Sequence, residues 1–148
     1  MRVPIKEAQK LGIAYQAITE RVLSAILNGD KFVELSRFEY QEALNQKYEY
    51  EEKAKALNKC AKLNNRGIAY ERAGKVKSAI RVYEENIELG YPAHHAFKRL
   101  MVLYHKAKDY ENEGRVIHKA LEVFGSYREY EDRLNKLIKR CLYTPKSL

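Results

Sequence analysis

Apolar residues in the first third of the chain recur at helical spacing. Ala8, Leu11, Tyr15, Ile18, Val22 and Ala25 form a near-heptad stripe, widened by Leu23, Ile26 and Leu27, that predicts a helix beginning near Pro4. Asn28-Gly29 stops it, and Asp30 is placed to cap the next helix. From Phe32, Leu35 and Phe38 the apolar face drifts through Tyr40, Ala43, Leu44 and Tyr48 toward Leu57. No breaker intervenes before Gly67, so one long helix and two shorter ones both satisfy the pattern.

From Cys60 onward the pattern is more regular. Leu63, Gly67, Ala69 and Tyr70 fall on one helical face, Gly74 interrupts, and Ala79, Ile80, Tyr83 and Ile87 form a second face before Gly90. Pro92 opens another helix, in which Phe97, Leu100, Met101, Leu103 and Tyr104 repeat the first face. Asp109 caps the next, with Tyr110, Ile117, Ala120 and Leu121 inward, and Gly125 closes it. Ser126 and Glu129 have capping-box spacing, and the helix they introduce carries Tyr127, Tyr130, Leu134, Leu137, Ile138 and Cys141 on one side.

These faces recur with a period of 34 residues: Leu63 and Phe97, Ala69 and Leu103, Tyr70 and Tyr104, Val82 and Val116, Ile87 and Leu121. Gly67-Ile68-Ala69-Tyr70, then Gly74, Ala79, Tyr83, Ile87 and Pro92, resembles the tetratricopeptide (TPR) signature, over about residues 60–125. Its logic is steric: small residues where the helices of a hairpin cross closely, large ones filling the gaps between hairpins. The second copy departs from it, with Met101 in the glycine slot, Lys108 in the turn, Glu113 in a small-residue slot and Gly114 next to it. A glycine inside an exposed helix costs on the order of 1 kcal/mol, which predicts a weaker helix there. Gly12-Ile13-Ala14-Tyr15 repeats Gly67-Ile68-Ala69-Tyr70 letter for letter, but its offset is not a multiple of the period, and it is not counted as a repeat.

The resemblance implies an all-α fold of about seven helices, antiparallel hairpins stacked as a short right-handed superhelix. Residues 1–58 are expected to form a helical hairpin capping the array, 59–125 two repeats, and 126–148 a closing helix with a short tail, the whole making one compact domain. In TPR proteins the first helix of each hairpin lines a concave groove. The expected partner-binding residues are therefore Asn64, Asn65, Ile68 and Arg72, then His95, Lys98, Arg99, Val102, His105 and Lys106. Asn65, His95 and Arg99 occupy the slots of half of the carboxylate clamp of chaperone-binding TPR domains, while the other half lacks its Lys and Asn. The expectation is an acidic or carboxylate-bearing peptide met by His95, Lys98, Arg99 and Lys106. The competing use of these residues is a solvated basic face.

A net charge of +8 with twelve tyrosines raises nucleic-acid binding as the alternative, phosphates meeting Lys and Arg and bases meeting aromatic rings. The cations are interspersed with glutamates, and most tyrosines sit in repeat or core slots. An enzyme is not expected. His94 and His105 share a helix face but lie about 16 Å apart along it, too far to share a metal, and no HExxH, CxxC, phosphate loop or GxSxG occurs. No cofactor is expected. At 148 residues the chain buries roughly 70% of its unfolded surface and needs no metal or disulfide, and Cys60 and Cys141 read as reduced apolar packing residues. No signal peptide or membrane span is read, which gives a cytoplasmic expectation. The stripe from Ala8 to Val22 either covers the first hairpin or pairs with a second chain as a homodimer.

Overall fold

The computed structural model describes residues 1–146. The fold is all-α: seven helices and one small two-stranded sheet. The chain divides into two compact units, Met1–Lys55 and Ala56–Leu148.

The first unit opens with β1 (Arg2–Pro4) and α1 (Ile5–Gly12), followed by a 3-10 turn (Gln16–Ile18), α2 (Thr19–Leu27) and β2 (Phe32–Glu34). The strands pair antiparallel, with Val3 opposite Val33. The single helix expected from Pro4 is thus broken. Tyr15 takes an extended backbone conformation, and Thr19 Oγ1 donates to the Gly12 carbonyl at 2.9 Å, joining the two helix ends. The expected stripe is still the buried face, because Ala8, Leu11, Ile18, Val22 and Ala25 pack with Val3, Val33, Leu35 and Ala43. The stripe closes a core of its own, and the side chains proposed to pair between chains are almost wholly buried in it: Ala8, Leu11 and Ile18 are at most 1% exposed.

The residue that caps the next helix is Ser36, not Asp30, which precedes a strand. Ser36 Oγ accepts from the Glu39 N–H at 3.1 Å, and the Ser36 N–H donates to Glu39 Oε2 at 2.8 Å, a complete capping box. That box and the nearby Arg21 guanidinium hold the Glu39 carboxyl down to about 2. The helix it starts, α3 (Arg37–Arg72), is continuous.

In the second unit the end of α3 is followed by α4 (Val76–Glu88), α5 (His94–Lys106), α6 (Tyr110–Phe124) and α7 (Arg128–Lys139). Gly67 faces Tyr83, and an added Cβ would lie 2.3 Å from the Tyr83 ring, so the close crossing of α3 and α4 requires glycine. At the position equivalent to Ala79 stands Glu113, and both are fully buried. Gly114 is buried as well, because the ring of Tyr143 lies against it where a Cβ would approach to 2.4 Å. It is therefore a packing site, not the exposed weak point its position implied.

The period is visible in the backbone. α3 closes with Ala73 N–H to Ala69 O, Gly74 N–H to Glu71 O and Lys75 N–H to Tyr70 O. α5 closes with the same bonds 34 residues on: Ala107 to Leu103, Lys108 to His105 and Asp109 to Tyr104. Gly74 (φ 72°) and Lys108 (φ 56°) both take the left-handed conformation. Asp109 caps α6, its side chain accepting from the Asn112 N–H at 3.2 Å.

Three further local expectations are corrected. Pro92 lies two residues ahead of α5 and does not open it. Ser126 donates to Glu131 at 2.8 Å instead of forming a box with Glu129. Cys141 is exposed, unlike the buried Cys60, because the helix has ended before it and its backbone is left-handed (φ 55°).

Two substitutions test this account. Gly67→Ala should lower stability by about 2 kcal/mol despite about 1 kcal/mol of helix-propensity gain, since the Tyr83 ring is packed on all sides. Lys108→Gly should raise stability by about 1 kcal/mol by relieving the left-handed backbone. Urea unfolding midpoints read both, and a stabilised Gly67→Ala would contradict the close crossing.

Candidate functional site

A cleft of about 460 Å3 opens beside α5, α6 and α7, with Glu113 at its floor. Glu113 is fully buried, and a carboxylate is tolerated there because both oxygens are satisfied. Arg133 Nε donates to Oε1 at 2.7 Å, and His105 Nδ1 lies 2.8 Å from Oε2. Arg133 also donates to the Met101 carbonyl at 3.1 Å, which ties α7 to α5 and α6 through one guanidinium. Above this floor Lys136 and Arg140 line the cleft, with Glu129 and Asp132. Glu129 is held by Lys98 at 3.0 Å, and Asp132 lies 3.9 Å from Arg128. Neither Lys136 nor Arg140 has an ionic partner among the described residues.

An aromatic cluster sets the position of α7. His94 stacks on Phe124 with ring centroids 3.9 Å apart, and its Nδ1 lies 2.6 Å from the Tyr130 hydroxyl. Beside it, Lys98 stands 6.0 Å from the Tyr127 ring centroid. α5 and α7 therefore meet at their N-terminal ends and run in the same sense.

The side chains expected to bind a partner divide into two groups. Several are committed to internal contacts. Arg99 forks onto Glu71, with Nε 3.0 Å from Oε2; Lys98 pairs with Glu129 and His105 with Glu113; Asn64 accepts from the buried Asn86 amide at 2.6 Å. The others remain available. Asn65, Arg72, His95 and Lys106 are exposed, and Ile68 and Val102 half-buried. Arg99 and Lys98 look like free cations in the sequence because their carboxylates lie 28 and 31 residues away and leave no local sign. Arg133, Lys136 and Arg140 belong to the segment expected to close the array, and nothing local in the sequence marks them as lining a cleft.

Around Glu71 the charges are mutually reinforcing. Hydrogen bonding from Arg99 holds the Glu71 carboxyl below the usual carboxylate range, against the opposing effect of burial. Tyr83 donates to the same carboxylate at 2.7 Å, and its hydroxyl is pushed upward by burial and by that bond. His95, edge-on to Tyr83, is lowered from the ordinary imidazole value, first by burial and then by the Arg99 charge, with Glu71 opposing.

No group of three or more His, Cys, Asp or Glu among the described residues is placed to hold a metal ion. Among the described residues no helix is long and apolar enough to cross a membrane. Elsewhere, an uncharged groove of about 280 Å3 in the first unit is lined by Gly12, Ile13, Thr19, Val22, Leu23 and Ile26, with Gln9 at its edge.

Glu113→Ala should cost roughly 2 kcal/mol, since Arg133 loses its partner but is a third exposed and can turn toward water. Thermal unfolding measures it, and an unchanged midpoint would show that the buried carboxylate is not a structural tie. Arg99→Gln should raise the His95 pKa, read by NMR titration. A fixed or lowered value would show that the guanidinium does not act on the imidazole.

Comparison with protein-family models and with curated proteins finds no match for this chain.

Proposed function

We propose that the second unit is a noncatalytic binding module for an acidic segment of a partner protein, seated along α5 and α7 over the Glu113 cleft. The observation that carries this reading is the pair Lys136 and Arg140, two cations at one cleft without ionic partners among the described residues. Lys136 lies in the last turn of α7 and Arg140 is its C-cap, whose N–H still donates to the Lys136 carbonyl, so the two sit one above the other at the end of the helix.

The lining supports the reading chemically. Glu113 is neutralised by Arg133, and Glu129 is engaged by Lys98, so the charge left to greet a ligand is positive. An arginine offers a bidentate fork to a carboxylate and a lysine a point contact, which together suit two acidic groups on one peptide. Leu137 and Leu142 supply an apolar wall against which a backbone can lie. The TPR-like steric pattern is consistent with a scaffold or adaptor role, since stacked hairpins commonly present a binding face. The cytoplasmic setting belongs to the same proposal.

The test is fluorescence anisotropy with a labelled acidic peptide of alternating Glu and Ala. Lys136→Ala with Arg140→Ala should weaken binding at least tenfold, while Lys98→Ala with Arg99→Ala should change it less, because those charges face internal carboxylates. Equal loss in both variants would return the ligand to the face of α5. No binding by the parent protein would remove the reading.

A further inference from the structure

The charge of this chain is unevenly placed. Residues 1–55 hold nine Lys and Arg against nine Asp and Glu, whereas residues 56–148 hold nineteen against eleven. In that second unit most carboxylates are already engaged. Glu71, Glu84, Glu88, Glu113 and Glu129 are held by Arg99, Arg115, Lys119, Arg133 and Lys98, and Asp109 caps α6. The cations left over therefore carry the field.

Where they fall follows the repeat. α3 ends at Arg72, α5 at Lys106 and α7 at Lys139. Each of these residues stands two places before a left-handed residue, Gly74, Lys108 or Cys141. The three bonds that close α3 and α5 recur after α7 as Arg140 N–H to Lys136 O, Cys141 N–H to Ile138 O and Leu142 N–H to Leu137 O. α5 and α7 run in the same sense, and α4 and α6 do too, since Glu84 meets Arg115 and Glu88 meets Lys119 one turn on. Equivalent turns thus lie along one edge of the unit, and Arg72, Lys106 and Lys139 hold the same position in each. All three are exposed and without an ionic partner among the described residues.

Folding explains some of this charge but not all of it. Cations in the last turn of a helix complement its dipole, which accounts for Arg72, Lys106 and Lys139 alike. At the start of α4 the rule is broken. Lys75 stands at the N-cap and Lys77 in the first turn, and no acidic residue accompanies them. Cations at a helix N-terminus are unfavourable by some tenths of a kcal/mol, so the fold gains nothing from them. They add to Arg72 at the same turn and leave an uncompensated positive end that an external anion would satisfy.

We propose that this edge, carrying Arg72, Lys106 and Lys139 on three equivalent turns with Lys75 and Lys77 beside the first, is a contact surface for the phosphate backbone of a nucleic acid. α3, α5 and α7 alternate with α4 and α6, so the three cations are set one hairpin apart, and an extended polyanion can meet more than one of them at once. Ala73, Gly74 and Ala107, beside the first two of these cations, are small and exposed, which lets a backbone approach. The contacts reach phosphates and carry no base readout, so binding is independent of sequence. This surface adjoins the Glu113 cleft at the turn after α7, where Arg140 and Leu142 line the cleft, but it is carried by other side chains and does not rest on the acidic-peptide reading.

The experiment is anisotropy of a labelled mixed-sequence 20-base-pair DNA duplex against the full chain, at salt concentrations from 50 to 200 mM. Each phosphate contact contributes about 0.9 to the slope of log affinity against log salt, so Arg72→Ala/Lys106→Ala/Lys139→Ala should make the slope shallower by about two to three. Arg115→Ala/Lys119→Ala, whose charges face Glu84 and Glu88, should leave it unchanged. Circular-dichroism melting controls for folding in both variants. An unaltered slope in the triple variant, equal loss in the two variants, or no duplex binding by the parent chain would overturn the proposal. Retention of a polyglutamate ligand through these same three residues, without duplex binding, would assign the edge to acidic proteins instead.

Discussion

The second unit depends on how its helices stop. The last carbonyls of a helix have no partner within it, and a chain that turns back must satisfy them at once. α3, α5 and α7 do so with the same three bonds, which require one residue in the left-handed region. The first turn meets that demand with Gly74, where the conformation is nearly free; Lys108 and Cys141 adopt it at a cost. Because the stopping point is fixed, the next helix starts in a fixed register. Gly67 comes under Tyr83, and Glu84 and Glu88 face Arg115 and Lys119.

The hairpins were legible in the sequence because their chemistry is local and steric. Residue size at Gly67, Ala79 and Tyr83 reports how closely two helices cross, and the same sizes can be read one period later. The strands were not legible. Arg2–Pro4 and Phe32–Glu34 are three residues each and bury one side chain apiece, too short for an alternation to register. The break between α1 and α2 was hidden for a related reason: Leu11 and Ile18 are seven apart and remain on one buried face whether or not the helix continues between them. Ser36 and Glu39 do carry a capping-box spacing, but the apolar drift through Phe38 and Tyr40 runs on without a change of period there and masks it.

The site was less legible than the fold because its electrostatics are long-range. Glu113 looked like a misfit in a small-residue slot, yet it is the buried anion on which Arg133 and His105 converge. That Arg133 lies 20 residues on, in another helix, is a fact of packing that no periodicity encodes. The same holds for Arg99, whose charge is directed inward by Glu71. Net charge alone would have counted Arg99 and Lys136 as equivalent, although one is half of an ion pair and the other is unpartnered among the described residues.

The two surfaces that remain positive differ in physical character, and this separates their expected partners. Lys136 and Arg140 border a cleft whose lining includes two leucines, Leu137 and Leu142, and a ligand seated there as proposed would lose part of its water, so that a charged contact would be strengthened by the lower local dielectric. Salt screens such a contact weakly. The turn edge is fully solvated, so its cations act through a field that decays over about 8 Å at physiological ionic strength. Discrete contacts with short acidic side chains would be weak there. A polyanion of regularly spaced phosphates compensates through the number of contacts and the counterions it releases. On the two proposals the cleft would therefore favour a ligand with shape, and the edge one with charge density.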